Sequence, residues 1–305
     1  MTDLLRFAHI SDLHLSSLHG LGGRRLLGKR LLGYLSWRRK RRFEHHHQVL
    51  EALNRRLHAL DFDQTLITGD LLHISLPEEF DQARTWLERL GSPDKLALVP
   101  GNHDAYAPQT WEQSFAHWQT YLHGDAPVTQ GGGFYPSLRR RGPVAFIGLS
   151  TALPTAPFMA TGRLGQTQLN ALAPLLRDCR QEGLFRVVYL HHPPLTGGEK
   201  WRKRLVDSRA FEALLEEEGA ELILHGHSHK NLDRELAGPR GPIPVVGLAS
   251  SSARGDHDQV AAFGDYQLQG PINKNTWILN RTLWHWDRQT GEFLPGEIRR
   301  WSLEP

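Results

Sequence analysis

The sequence predicts an α/β protein whose strands run mostly parallel. Two observations carry this. Short apolar runs of strand length alternate with amphipathic helical patterns along the first 250 residues, which is the signature of crossover connections. Each apolar run also ends in a short polar cluster, as expected where strands of such a sheet deliver their loops to one side.

Taken in order, the first strand covers residues 5–10 and ends at Asp12. Residues 44–60 follow as a helix, with Leu50, Leu53, Leu57 and Leu60 as its core stripe. His45, His46 and His47 stand at its start. Three consecutive residues cannot share one helix face, so they are expected to be exposed rather than a joint metal site. Residues 61–68 are a loop and strand ending at Asp70, and 76–90 are a helix with Pro77 in its first turn. The run 95–100 is a third strand. Residues 110–122 read as a helix with Trp111 and Trp118 inward, and 130–133 as a glycine turn. Segments 134–138 and 144–150 form a hairpin through Arg139, Arg140, Arg141 and Gly142. Next come a loop at 151–165 carrying Phe158 and Met159, and a helix at 166–182 with Leu169, Leu172, Leu176 and Cys179 on one side. Strands ending at Leu190 and His225 bracket a helix over 207–218 that Asp207 caps. A strand at 243–250 and short outer strands of a second sheet at 276–279, 282–287 and 297–303 complete the chain. No linker or repeat divides it, so residues 1–305 are expected to form a single domain.

A hydrophobic content of 39% in 305 residues is enough for one sizeable core. The one cysteine, Cys179, excludes a disulfide framework and fits a reducing compartment. No apolar run is long enough to cross a membrane, and residues 1–6 lack a secretory pattern. A cytoplasmic location is therefore expected, with the inner membrane face as its possible extension.

The polar clusters carry the chemistry. They are Asp12 with His14, Gly69-Asp70, Gly101-Asn102-His103-Asp104, His191-His192 and Gly226-His227-Ser228-His229. In extended chain, residues two apart point the same way, so Asp12 with His14, and His227 with His229, can each chelate one ion. Carboxylate, amide and imidazole without thiolate suit manganese, iron or zinc. Taken singly, each cluster reads as a turn, a cap or an ordinary loop histidine. Five of them, each after its own buried-looking strand, point to one shared site.

Together these residues resemble the signature of calcineurin-like metallophosphoesterases, over roughly residues 5–250. The resemblance implies a four-layer αββα sandwich of two mixed β-sheets flanked by helices. It also implies two divalent metal ions, manganese before iron or zinc. One ion would take Asp12, His14, Asp70 and His229; the other Asp70, Asn102, His191 and His227. Asp70 would bridge them, and a water activated at the pair would attack a phosphoester. His103 would protonate the leaving oxygen, with Asp104 orienting its ring and His192 supporting the ligands from behind.

Residues 21–42 are the second unusual stretch. Nine of the chain's 36 basic residues lie there with no acid, leaving 27 against 33 acidic residues elsewhere. The sequence pI of 9.1 is thus the work of one patch. Leu27, Leu31, Leu32 and Leu35 recur at helical spacing beside Tyr34 and Trp37, as in a membrane-surface helix. Arg24, Arg25, Lys29, Arg30, Trp37, Arg38 and Arg39 are its candidate substrate- or membrane-binding residues. A solvated basic helix packed down by its leucines is the plainer reading, and a nucleic-acid patch a third that is not expected to hold. The segment 28–36 is similar to the insert of metallophosphoesterase-type UDP-2,3-diacylglucosamine hydrolases. That similarity implies a nucleotide-linked lipid as the phosphoester substrate, met at a membrane surface. A soluble cyclic-nucleotide phosphodiesterase is the alternative, and a non-catalytic scaffold would require degraded ligands that the sequence does not show.

Overall fold

The computed structural model describes residues 3–15, 17–18, 26, 28–126, 134–256, 259–272 and 276–304. Arg24, Arg25, Leu27 and the glycine turn at 130–133 lie outside them.

Among the described residues, twelve strands form two six-stranded sheets. The first contains β1 (Asp3–Ile10), β2 (Gln64–Ile67) and β3 (Leu96–Leu98), which are parallel, and β10 (Ala262–Ile272), β11 (Thr276–Asp287) and β12 (Glu292–Leu303), which extend it antiparallel from β1. The second contains β4 (Ser137–Arg141), β5 (Val144–Gly148), β6 (Phe185–Tyr189), β7 (Leu222–His225), β8 (Leu232–Leu236) and β9 (Ile243–Gly247). There β5, β6, β7 and β9 are parallel, with antiparallel edges at β4 and β8.

Burial on both faces explains the unbroken apolar runs. Along β1, Leu5 and Phe7 point between the sheets while Ala8 and Ile10 point to helices. Along β5, Val144 and Phe146 face inward and Ala145 and Ile147 outward. The inter-sheet core also holds Leu66, Val187, Leu224, Tyr266 and Trp277. Helices α3 (His47–Leu60) and α4 (Pro77–Leu90) cover the first sheet, and α6 (Gly165–Gln181) and α7 (Ser208–Glu218) the second. The result is four layers, helix–sheet–sheet–helix. Two short helical pieces, α1 (Lys29–Ser36) and α2 (Arg42–Glu44), lie between β1 and α3, joined by a π-helical turn at Trp37–Arg41; α5 (Gln119–Leu122) follows a 3₁₀ turn at Phe115–Trp118.

Several local expectations need correction. The helix expected at 110–122 is only that 3₁₀ turn and α5, although Trp118 is buried as expected. The three arginines are in strand β4 and not in the hairpin turn, which falls at Gly142-Pro143. All are committed to structure: Arg139 donates to the carbonyls of Pro93 and Tyr121, while Arg140 and Arg141 pair with Glu182 and Asp125. Asp207 precedes α7 but spends its carboxylate on the backbone N–H groups of Leu164 and Gly165, at the start of α6. The last strands are long rather than short, and they extend the sheet that contains β1.

Candidate metal centre

The five polar clusters follow the carboxyl ends of β1, β2, β3, β6 and β7. Open α/β sheets place their ligand sites there. Backbone bonds zip the loops of each sheet together: Asp12 N–H to Gly69 O at 3.0 Å, His14 N–H to Asp70 O at 3.0 Å, and Gly226 N–H to His191 O at 3.0 Å. Across the sheets, the His227 N–H donates to Asp12 Oδ2 at 3.0 Å.

Asp12, His14, Asp70, His227 and His229 all have positive φ, between 45° and 67°. The left-handed region is costly for side chains bearing Cβ, and such strain concentrates at functional sites. Asp12 and His14 converge on one cluster as expected, but through tight left-handed turns and not in extended chain; His227 and His229 do not share an ion, since they fall in different clusters.

Two clusters result. Ligand atoms of Asp12, His14 and His229 lie within 4.8 Å of one another, as do those of Asp70, His191 and His227. Asp12 Oδ1 is 3.1 Å from His229 Nε2. His14 Nδ1 donates to the Leu72 carbonyl at 2.7 Å, which leaves Nε2 as its ligand atom. His191 Nδ1 likewise donates to the Thr68 carbonyl at 2.6 Å. Around His191 Nε2 stand Asn102 Oδ1 at 3.2 Å, Asp70 Oδ2 at 3.3 Å and His227 Nδ1 at 3.3 Å. Buried His227 Nε2 has no hydrogen-bond partner among the described residues.

This donor set fits a cation. One proton can join only two of the converging atoms, whereas a divalent ion accepts from all of them. The pocket's electrostatics agree. Burial opposes a charge on His191, yet Asp70 and Asp12 pull its pKa up to about 9. Burial also opposes the Asp12 carboxylate, but His229 and His191 hold it below its usual range.

His103 lines the cavity over these clusters, and its Nδ1 is 2.6 Å from the His73 carbonyl. Asp104 does not orient that ring. Its carboxylate accepts the N–H groups of Asp70 at 2.9 Å, Leu71 at 2.9 Å, Leu72 at 3.0 Å and Gly101 at 2.8 Å. It therefore ties the Asp70 turn to the Gly101 turn. Burial and the neighbouring Asp70 charge raise its pKa to about 7, against those amides. His192 is no ligand either: Thr151 Oγ1 and the Ala160 carbonyl occupy both ring nitrogens, and the ring backs His227 at 4.4 Å.

Sequence reasoning missed His45. The break between α2 and α3 turns it into the cavity, half-buried, with its ring 4.5 Å from that of His14 and Nδ1 2.7 Å from Ser252 Oγ. Ser250 Oγ donates to the Asp12 carbonyl at 2.6 Å. The signal for the serines was present, since 250–252 also follow an apolar strand.

Gly226 shows how tightly the turns pack. A Cβ there would meet Ser11 Oγ and come within 2.6 Å of Asp12 Oδ2. Gly226→Ala is expected to cost about 1–3 kcal/mol and to weaken metal binding by displacing Asp12. Thermal unfolding and metal content check this.

The insert residues divide sharply. Trp37 is not interfacial: it is buried with Leu26, Ile74 and Leu76, and it stacks on Tyr34. Arg30 spends its guanidinium on the carbonyls of Ile74 and Ser75. Gly33 lets α1 press down, since a Cβ would sit 2.8 Å from the Tyr106 hydroxyl. Leu31 and Leu35 do not pack, being 44% and 38% exposed. Arg38 and Arg39 are exposed beside Leu35 and Phe43.

Lys29 bonds Thr155 Oγ1 at 2.7 Å and the Met159 carbonyl at 3.1 Å, over the Tyr106 ring. Burial lowers its pKa to about 8. A folded value below the unfolded one means the unfolded chain binds more protons between them. Stability relative to Lys29→Met should thus rise from about pH 8 to about pH 10.5, as read by urea titration at several pH values.

A dimetal phosphatase from Danio rerio superposes with a TM-score of 0.62 at 12% identity, covering 98% of each chain. A probable cyclic nucleotide phosphodiesterase of Synechococcus sp. (strain WH7803) is 30% identical over 93 residues, which span 30% of this chain and 35% of that protein. Residues 5–231 match the model of the calcineurin-like phosphoesterase family, and the chain belongs to that family of phosphoester hydrolases.

Proposed function

We propose that the whole chain is one catalytic unit, a dinuclear hydrolase of phosphodiester or pyrophosphate bonds. Asp12, His14, Asp70 and His229 would hold one ion and Asp70, Asn102, His191 and His227 the other, with manganese preferred over iron or zinc. When bound, the pair supplies electrophilic stabilisation of the phosphoryl charge and makes the attacking water more acidic. His103, held through Nδ1 by the His73 carbonyl, presents Nε2 to the cavity and protonates the leaving oxygen. Asp104 keeps the Asp70 and Asn102 turns in register.

The substrate is an amphiphilic, nucleotide-linked phosphoester met at a membrane surface. One observation carries this reading. The insert walls the site, with Gly33 and Ser36 beside Asn102 and His103, while its outer side exposes Leu31, Leu35 and Phe43 next to Arg38, Arg39 and Arg42. Apolar side chains amid cations suit an anionic bilayer. Among the described residues no helix is long and apolar enough to cross a membrane, so the contact would be peripheral. Replacing Leu31, Leu35 and Phe43 by Ser should lower binding to phosphatidylglycerol vesicles at least about tenfold in co-sedimentation. Activity on a lipid-linked nucleotide should fall with it, and hydrolysis of bis(p-nitrophenyl) phosphate should persist. A cyclic nucleotide is the second reading, favoured by the name of the Synechococcus relative. Unchanged vesicle binding, with turnover of cyclic AMP, would select it.

A further inference from the structure

Beyond the metal centre the cleft opens into a chamber of about 420 Å³. Among the described residues, its wall carries four cations, Lys29, Lys200, Arg202 and Lys203, and no carboxylate. The two spaces are continuous: Asn102, His103, Ala160 and Lys203 line both. Lys203 is near enough for its charge to act on His227.

The turn that carries three of them is fixed through its backbone. The Lys203 N–H donates to the Lys200 carbonyl at 2.8 Å, closing a turn. The Ala160 N–H donates to the Arg202 carbonyl at 2.8 Å and the Gly162 N–H to the Arg204 carbonyl at 3.1 Å, fastening that turn to the loop under the site. Among the described residues, no ion pair joins Lys200, Arg202 or Lys203 to an acid. Lys29 sits half-buried in the same wall, where burial opposes its charge. Uncompensated cations converging on a concave wall favour an anion, and a phosphoryl group brings several acceptor oxygens to Lys and Arg donors.

We propose that this chamber is a second phosphate subsite, so that the preferred substrate carries a phosphoryl group joined through one bridging oxygen to the scissile phosphorus. The inference rests on the phosphodiesterase reading and narrows it to diphosphate diesters. The water oxygen bonds to phosphorus at the metal centre. The bridging P–O bond breaks, and its electron pair leaves on the oxygen of the phosphate in the basic chamber. Two phosphate monoesters form, and the two protons of water pass to the product oxygens or to solvent. Arg202 and Lys203 contact the departing phosphate, and Lys29 and Lys200 flank it.

The test uses the full-length, manganese-loaded protein and the triple variant Lys200→Ala, Arg202→Ala, Lys203→Ala, with folding checked by thermal unfolding. Calorimetry compares α,β-methylene-ADP with AMP. The wild type should prefer the diphosphate at least tenfold at low salt, and the variant should lose most of that preference. Kinetics compare UDP-glucose with bis(p-nitrophenyl) phosphate, and the ratio of their kcat/KM values should fall at least tenfold in the variant. An unchanged binding preference, or equal loss on both substrates, overturns the subsite. If the wild type hydrolyses neither ester yet keeps a variant-sensitive diphosphate preference, the catalytic reading fails and the subsite stands.

Discussion

Asp70→Asn is expected to lower turnover of bis(p-nitrophenyl) phosphate by on the order of 10³-fold or more, and to reduce manganese from about two ions per chain to one or none. The substitution is nearly isosteric. Asparagine tolerates the left-handed backbone found here, with φ 57°. Its oxygen can still accept the His103 N–H, which Asp70 Oδ1 receives at 2.7 Å. What is lost is the negative charge that would bridge the two ions in the proposed arrangement; in the structure it lies 3.3 Å from His191 Nε2, and its backbone N–H is held by the Asp104 carboxylate. Without it two cations would repel each other with less compensation. Metal analysis and a single-turnover assay on the same preparation measure both effects. Full turnover after chelation would end the dinuclear account.

His103→Ala should behave differently. Turnover should fall by about 10²–10⁴-fold on esters with poor leaving groups, while both metals stay bound. The ring is held by a carbonyl 2.6 Å from Nδ1 and lines the cavity in which the leaving oxygen would lie. Esters of p-nitrophenol need little protonation, so the loss on them should be far smaller. A loss independent of leaving group, or a loss of metal, would make His103 a positioning residue instead.

Much of the fold was legible because both sheet faces are buried. Alternate residues of β1 and β5 serve different cores, which keeps the runs apolar and easy to find. The candidate ligands were legible because strand ends concentrate them into short clusters. Their true backbone was not. Aspartate and histidine are enriched at left-handed positions, but they are also common in ordinary loops, so Asp12-Leu13-His14 does not by itself specify the turns found. The resemblance assigned Asp104 to the His103 ring, whereas its four amide donors come from turns up to 34 residues away, which no local pattern reveals. His45 was hidden by a helical pattern that breaks just where it enters the cavity. The insert's packed face was hidden in a third way. Helical spacing of leucines left open whether they pack or face out; here Gly33, Tyr34 and Trp37 do the packing while Leu31 and Leu35 are exposed. Contact with Ile74 and Tyr106, remote in sequence, decides that.

Anomalous diffraction from crystals soaked in manganese tests the central claim most directly. Two peaks should appear, one among Asp12, His14 and His229 and one among Asn102, His191 and His227, with Asp70 reaching both. No peak there, or a lone ion bound away from these side chains, would contradict it.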